Sequence, residues 1–188
     1  MSVSDRERWN EKYANDTDRR EPSRVVTDLA SWMPVSGRAL DLAGGTGRHA
    51  IWLAQRGLDV TLVDVSDVAL GIAREHARVA GVSIAIEARD VESEGLPAGP
   101  WDLILSVHYL QRSLFDRFAK VLAPGGRLVF VQPTKRNLER HARPSERFLL
   151  GEGELRELVE RGGLRVVKYE EGWGVEGRHE VRVVAETK

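Results

Sequence analysis

Three aspartates stand where short apolar runs end: Asp41 in "ALDLAGGTGRHA", Asp64 in "VTLVDVS" and Asp90 in "EARDVE". Between the first two lies a glycine-rich turn. Gly45, Gly47 and Ala50 meet the G-x-G-x-x-G/A spacing of a dinucleotide loop, with Asp64 roughly 20 residues downstream. Taken alone this match is weak, because small residues let a backbone approach any ligand and a strand-end acid accepts bonds from any ribose. Charge separates the candidates. A carboxylate at Asp41, four residues before Gly45, repels a pyrophosphate and welcomes an ammonium group. Asp90 is placed to accept a hydrogen bond from an exocyclic amine. The three acids together suit a cofactor that has hydroxyls, amines and a positive charge.

A second constellation is "SVHYLQR", where His108 and Tyr109 follow an apolar run. Either side chain is placed to take a proton from a nucleophile or to touch a substrate, and either is equally consistent with packing or with holding loop carbonyls. The remaining histidines, His49, His76, His141 and His179, lack metal-ligand spacing, and no metal site is expected. There is no cysteine, which excludes thiol nucleophiles, thiolate metal sites and disulfide frameworks together. The opening "MSVSDRERWNEKYANDTDRR" is too charged for a signal peptide. No apolar run approaches the roughly 18 residues of a membrane helix, so a cytoplasmic protein without membrane contact is expected. The net charge is −1 although 30% of residues are charged, so no global field marks a nucleic-acid binder. No pattern in the chain specifies an oligomer.

These residues need elements to position them, and 188 residues with 41% apolar content are enough for one domain with a substantial core. The N-terminal part reads as helical. "SDRERWNEKYA" places Trp9 and Tyr13 on one helix face, and "EPSRVVTDLASWM" predicts a second helix with Pro22 in its first turn and Pro34 just past its end. From residue 38, apolar runs alternate with helical periods: "RALDLA", "LDVTLVDV", "VSIAIEARDV", "WDLILSV" and "GGRLVFVQP". That alternation predicts βαβ units on a parallel sheet covered on both faces. A further helix, "EGELRELVERGG", precedes two strands, "LRVVKYEE" and "HEVRVVAE". Their short connection, "GWGVEG", requires them to be antiparallel. The one long irregular stretch, "PTKRNLERHARPSERFLL", holds the basic run "KRNLERHARPSER". Leaving a strand's carboxyl end, it is expected to overhang the substrate pocket, as a solvated face or as a contact for an anionic substrate or RNA.

"LDLAGGTGR", "VTLVDVS", "ARDVE", "WDLILSV" and "LAPGGRLVF", in that order, resemble the successive motifs of class I S-adenosylmethionine-dependent methyltransferases. That cofactor has the hydroxyls, amines and cationic centre that the three acids call for. The "W-x-x-x-Y" helix, "YLQR" and "FLLGEGELRELV" are similar to the small tellurite-resistance-type methyltransferases. The resemblance implies an α/β, doubly wound, Rossmann-like seven-stranded sheet of order 3-2-1-4-5-7-6. Its last strand is antiparallel, and helices cover both faces. One methyltransferase domain would span 1–188, with a helical cap over 1–36 and the Rossmann-like core over 37–188. Position by position, Ala43, Gly44, Gly45 and Gly47 would line the methionine and ribose portion, with Asp41 near the methionine end. Asp64 would take the ribose hydroxyls, Asp90 and Val91 would meet the adenine, Ser106 would lie where the fourth strand reaches the cofactor, and Val65 would also be among the cofactor-binding residues. Tyr13 would close over it, or else pack its helix on the sheet. One departure is Ala43, where the family's usual first glycine is missing. Binding is expected to survive unless that position requires positive φ.

The implied activity is methyl transfer from S-adenosylmethionine to a small-molecule acceptor. A nicotinamide-dependent dehydrogenase is opposed by Asp41 and by the lack of a Tyr-x-x-x-Lys pair. A nucleic-acid methyltransferase acting on exocyclic amines calls for Asn/Asp-Pro-Pro-aromatic after the fourth strand, where this chain reads "SVHYLQR". A module that binds the cofactor without transferring its methyl group is the non-enzyme alternative.

Overall fold

In the computed structural model the described residues are 3–15 and 21–187. The helices are α1 (Val3–Ala14), α2 (Arg24–Thr27), α3 (Arg48–Gln55), α4 (Asp67–Ala80), α5 (Phe115–Val121) and α6 (Glu154–Arg161). The strands are β1 (Arg38–Leu42), β2 (Asp59–Asp64), β3 (Ala85–Ala88), β4 (Trp101–Val107), β5 (Leu122–Pro133), β6 (Arg165–Trp173) and β7 (His179–Glu186). They form one seven-stranded sheet of order β3-β2-β1-β4-β5-β7-β6. Pairing is parallel from β3 to β5, and β7 runs antiparallel to both β5 and β6. This is the Rossmann-like methyltransferase arrangement expected from the motifs.

Because strand side chains alternate between faces, central strands must be apolar on both. Leu40, Leu42 and Ile104 pack on one side with Phe115 and Phe118 of α5 and Leu155 of α6. Ala39, Leu103 and Leu105 pack on the other with Leu53 of α3, Leu70 of α4 and Leu29. The ends of α4 show how a helix is delimited. Ser66 caps α4 by accepting from the Ala69 amide, and Gly81 at φ 69° closes it.

Two elements differ from the sequence reading. The helix expected over "EPSRVVTDLASWM" is only α2, followed by a 3-10 turn at Ala30–Trp32. The Leu29 amide reaches back three residues to the Val26 carbonyl, tightening the chain so that Val25, Val26, Leu29 and Met33 all face the core. Tertiary burial outweighs helix propensity there. At the sheet edge, β3 stops at Ala88, so Asp90 lies past the strand.

Candidate active site

β1 lies between β2 and β4, so helices leave the sheet in opposite directions there and a crevice opens beyond the carboxyl ends. The turn from β1 into α3 forms its floor. Ala43 (φ 55°), Gly45 (φ 58°) and Gly47 (φ 81°) all adopt left-handed backbone. A Cβ on Gly44 would collide with Leu62 and with the Asp41 carboxylate, and one on Gly45 would come within 2.5 Å of the Tyr13 hydroxyl. The turn is therefore shaped by contact from below and above. The Gly45 amide donates to Asp64 Oδ2 and the Ser66 amide to Oδ1, each at 2.9 Å.

A cavity of about 360 Å³ opens over this turn. Asp41 and Asp64 both line it, though they are 1% and 6% exposed. Burial pushes the Asp41 carboxyl up to about 7, with Asp64 adding to the rise while the Ala50 amide and Arg48 oppose it. Its Oδ2 has no hydrogen-bond partner among the described residues. Asp64 is likewise raised by burial, against which the amides of Ser66, Gly45 and Val65 act. Over the opening, α1 places Trp9 and Tyr13 with their rings stacked 5.8 Å apart. Asn10 of the same helix accepts from Ser66 Oγ at 2.6 Å, docking α1 on the start of α4.

Residues 39–126, from β1 into β5, match the family described as "Methyltransferase domain". The chain is 31% identical over 118 residues to the ubiquinone biosynthesis O-methyltransferase of Rhizobium leguminosarum bv. trifolii, covering 60% of this chain and 46% of that protein. Over residues 39–126 the chain is thus similar to methyltransferase domains. It spans less than half the length of the curated relatives it matches. Among solved structures, TehB from Haemophilus influenzae superimposes with a TM-score of 0.70 at 20% identity, covering 97% of this chain and 67% of that one. Magnesium protoporphyrin IX methyltransferase from Synechocystis PCC 6803, solved with bound SAM, superimposes at 0.73 with 16% identity, covering 99% and 96%. These two likenesses show the fold.

Within this methyltransferase fold, the cavity gathers most of the residues singled out from sequence. Tyr13, Asp41, Ala43, Gly44, Gly45 and Asp64 line it, as do Val65, Val91, His108 and Tyr109. Gly47, Asp90 and Ser106 do not. Gly47 instead begins α3, 3.0 Å from Ala73 as a would-be Cβ. The Asp90 carboxylate is turned into its own loop, accepting from Ser93 Oγ at 2.8 Å and the Glu92 amide at 3.1 Å. Ser106 is fully buried, its hydroxyl directed to the Tyr109 carbonyl at 3.5 Å.

The two candidates after β4 part company here. Tyr109 donates to Glu92 Oε1 at 3.4 Å. Burial and then the Glu92 charge raise its phenol above the ordinary value. His108, in left-handed backbone at φ 59°, lies 3.2 Å from the buried carboxylate of Glu180.

The cavity also includes residues that sequence reading passed over. Lys12, Arg48, Arg89 and Arg178 bring four cationic side chains to its wall. His49, read from sequence as one of several scattered histidines, lines it with its Nε2 facing Ser23 Oγ at 2.9 Å and accepting from the Ser23 amide at 3.3 Å. Burial, with Arg48 and His108 nearby, pushes its imidazole down to about 3 and keeps it neutral. Its place in the first turn of α3, directly after the glycine turn, was the signal available. The basic segment 135–147 corrects an expectation: none of it lines the cavity. It leans instead on the β6–β7 hairpin, with Arg140 stacked 3.8 Å from the Trp173 ring centre and His141 Nε2 facing the Gly177 carbonyl at 2.7 Å. Lys135 pairs with Glu146 and Arg136 with Glu139. Counter-charges and an aromatic ring draw the segment to its own edge of the sheet.

Proposed function

We propose that this chain transfers a methyl group from S-adenosylmethionine to a small-molecule acceptor in the cytoplasm, with 1–36 as a helical cap on the core 37–188. The observation that carries this reading is the buried Asp41 Oδ2, which has no hydrogen-bond partner among the described residues although Asp41 lines a cavity. A buried carboxylate oxygen without a partner costs stability, and a cationic ligand group relieves that cost. The donor set fits the cofactor. Asp41 would take the ammonium of the methionine part beside the backbone of Ala43, Gly44 and Gly45. Asp64 accepts the Gly45 amide on Oδ2 and the Ser66 amide on Oδ1 and keeps acceptor capacity for ribose hydroxyls. Val65 and Val91 offer apolar surface to the adenine ring, and Tyr13 covers the site from above. Asp90 and Gly47 would then shape the loops, with Ser106 supporting the end of β4.

Bound there, the cofactor supplies a methyl group on a sulfonium centre. The chain's own residues have to align an acceptor with that methyl group and keep water away, since charge is dispersed in the displacement. Trp9 and Tyr13 do the covering. Arg48 and Arg178 set a positive wall toward the acceptor, which favours an anionic or hydroxyl-bearing small molecule. The pairing of the basic segment with its own glutamates and with Trp173 supports this reading over a nucleic-acid substrate. Calorimetry with S-adenosylmethionine and S-adenosylhomocysteine tests the proposal: single-site binding of both is expected, and binding of neither refutes it.

A further inference from the structure

Behind His108 stands a carboxylate with no sequence neighbour to announce it. Val107 of β4 pairs with Val131 of β5, and Pro133 of β5 pairs with Glu180 of β7, so His108 reaches across β5 to meet Glu180. His108 Nε2 and Glu180 Oε2 are 3.2 Å apart. Glu180 is 2% exposed, and its other oxygen accepts from Arg182 at 3.3 Å. Burial works to raise its carboxyl, but His108 and Arg182 outweigh burial and hold it below the usual range. An ionised carboxylate only accepts hydrogen bonds, so in the neutral imidazole the proton sits on Nε2 and Nδ1 keeps its lone pair. His108 lines the cavity. Its φ of 59° is uncommon for a non-glycine residue, and the His108 amide donates to the Val131 carbonyl at 2.8 Å to hold it there.

We infer that His108, held by Glu180, is the general base for an acceptor that arrives as a hydroxyl compound of phenol-like acidity, which makes this chain an O-methyltransferase. The inference rests on the cofactor reading above. A thiolate or a chalcogen oxyanion arrives with a free electron pair and needs no base. An ammonium acceptor also needs one, but with Asp41 and Asp64 taken by the cofactor on the reading above, it meets Arg48 and Arg178, the latter 3.7 Å from Glu176. A hydroxyl both needs the base and gains from those cations as negative charge grows on its oxygen. In the step, the acceptor O–H proton passes to Nδ1 of His108 and the oxygen forms a bond to the methyl carbon. The sulfur–carbon bond breaks, and its electron pair stays on sulfur, turning the sulfonium into a thioether. The imidazolium so formed is stabilised by Glu180 and then loses its proton to water. Glu180 is a positioning residue, acting through the imidazole.

The test compares 3,4-dihydroxybenzoate and phenol with a thiophenol and selenite as acceptors, following release of S-adenosylhomocysteine. Wild type is expected to methylate a hydroxyl compound. His108→Asn, which tolerates the same backbone, should lower kcat by about a hundredfold or more. Glu180→Gln should lower kcat about tenfold with KM nearly unchanged. Both variants should bind S-adenosylhomocysteine as wild type does. Nitrogen-15 NMR of the imidazole should show Nε2 protonated in wild type and a mixture of tautomers in Glu180→Gln. Turnover of only the thiophenol or selenite arms, or no turnover of hydroxyl compounds while the cofactor product binds, overturns the inference. So does an Nδ1-protonated wild type. Failure of S-adenosylhomocysteine to bind defeats the cofactor reading itself, a separate result.

Discussion

Asp41 and Ala43 lie two residues apart and pull stability in ways that can be measured separately. The Asp41 carboxyl is raised by burial from 3.8 to about 7, so folding favours its protonated form. A raised acid contributes stability that is fully present below its unfolded value and is lost as pH rises through its folded value. A cationic ligand acts the other way, because it binds the ionised form. Affinity for S-adenosylhomocysteine, which keeps the ammonium group, should therefore weaken as pH falls below about 7. Asp41→Asn should abolish that pH dependence and weaken binding tenfold or more. It should also raise folding stability near neutral pH and above by about 2 kcal/mol. Calorimetry across pH and thermal melts of both proteins check the two halves. Ala43 holds φ 55° without the glycine that makes such a backbone free of strain. Ala43→Gly is expected to stabilise the fold by roughly 1 kcal/mol in urea unfolding, with cofactor-product affinity unchanged. The missing glycine was visible in the sequence. Its left-handed backbone was not, because φ depends on where the chain must go next.

Among the elements, α1 meets the rest of the molecule chiefly at α4. A helix of 12 residues is marginal on its own, and α1 is anchored to α4 through Asn10 on Ser66 and Arg6 near Asp67 at 3.9 Å. Its amides should exchange quickly in the free protein and slow once S-adenosylhomocysteine is bound beneath Tyr13, as hydrogen-exchange mass spectrometry would register. Tyr13→Ala should weaken that ligand several-fold; unchanged affinity would assign Tyr13 to packing alone. The amphipathic period of α1 was readable from Trp9 and Tyr13. The second predicted helix was over-read, since the pattern of apolar residues in "RVVTDLASWM" fits a helix and also fits a tightened turn that drops Leu29 and Met33 into the core. Periodicity cannot separate those two, and packing can. The β6–β7 hairpin makes the same point. Its strands were legible as apolar alternation, but its tip, where Glu176 accepts from the Arg24 amide at 2.8 Å and Arg178 joins the cavity wall, depends on the whole sheet.

At the scale of the whole molecule, the site is assembled from both halves of one sheet, so a ligand that bridges them should stabilise the fold globally. A ligand at a hundredfold its Kd contributes about 2.7 kcal/mol. For a chain of this size that corresponds to a rise in Tm of about 5–10 °C. A thermal shift with S-adenosylhomocysteine that Asp41→Asn loses would link the effect to the site. By itself the sequence determined the succession of strands and helices, the antiparallel close of the sheet, the glycine turn and the acids at Asp41 and Asp64. Each of these is written in local patterns: apolar period, turn residues and side chains at strand ends. Only the tertiary structure decided that Glu180 backs His108 across 72 residues of chain, that Ser23 holds His49, and that the basic segment turns away from the cavity onto Trp173. Those contacts follow from strand order and register, which place distant residues side by side without leaving any period in the chain between them.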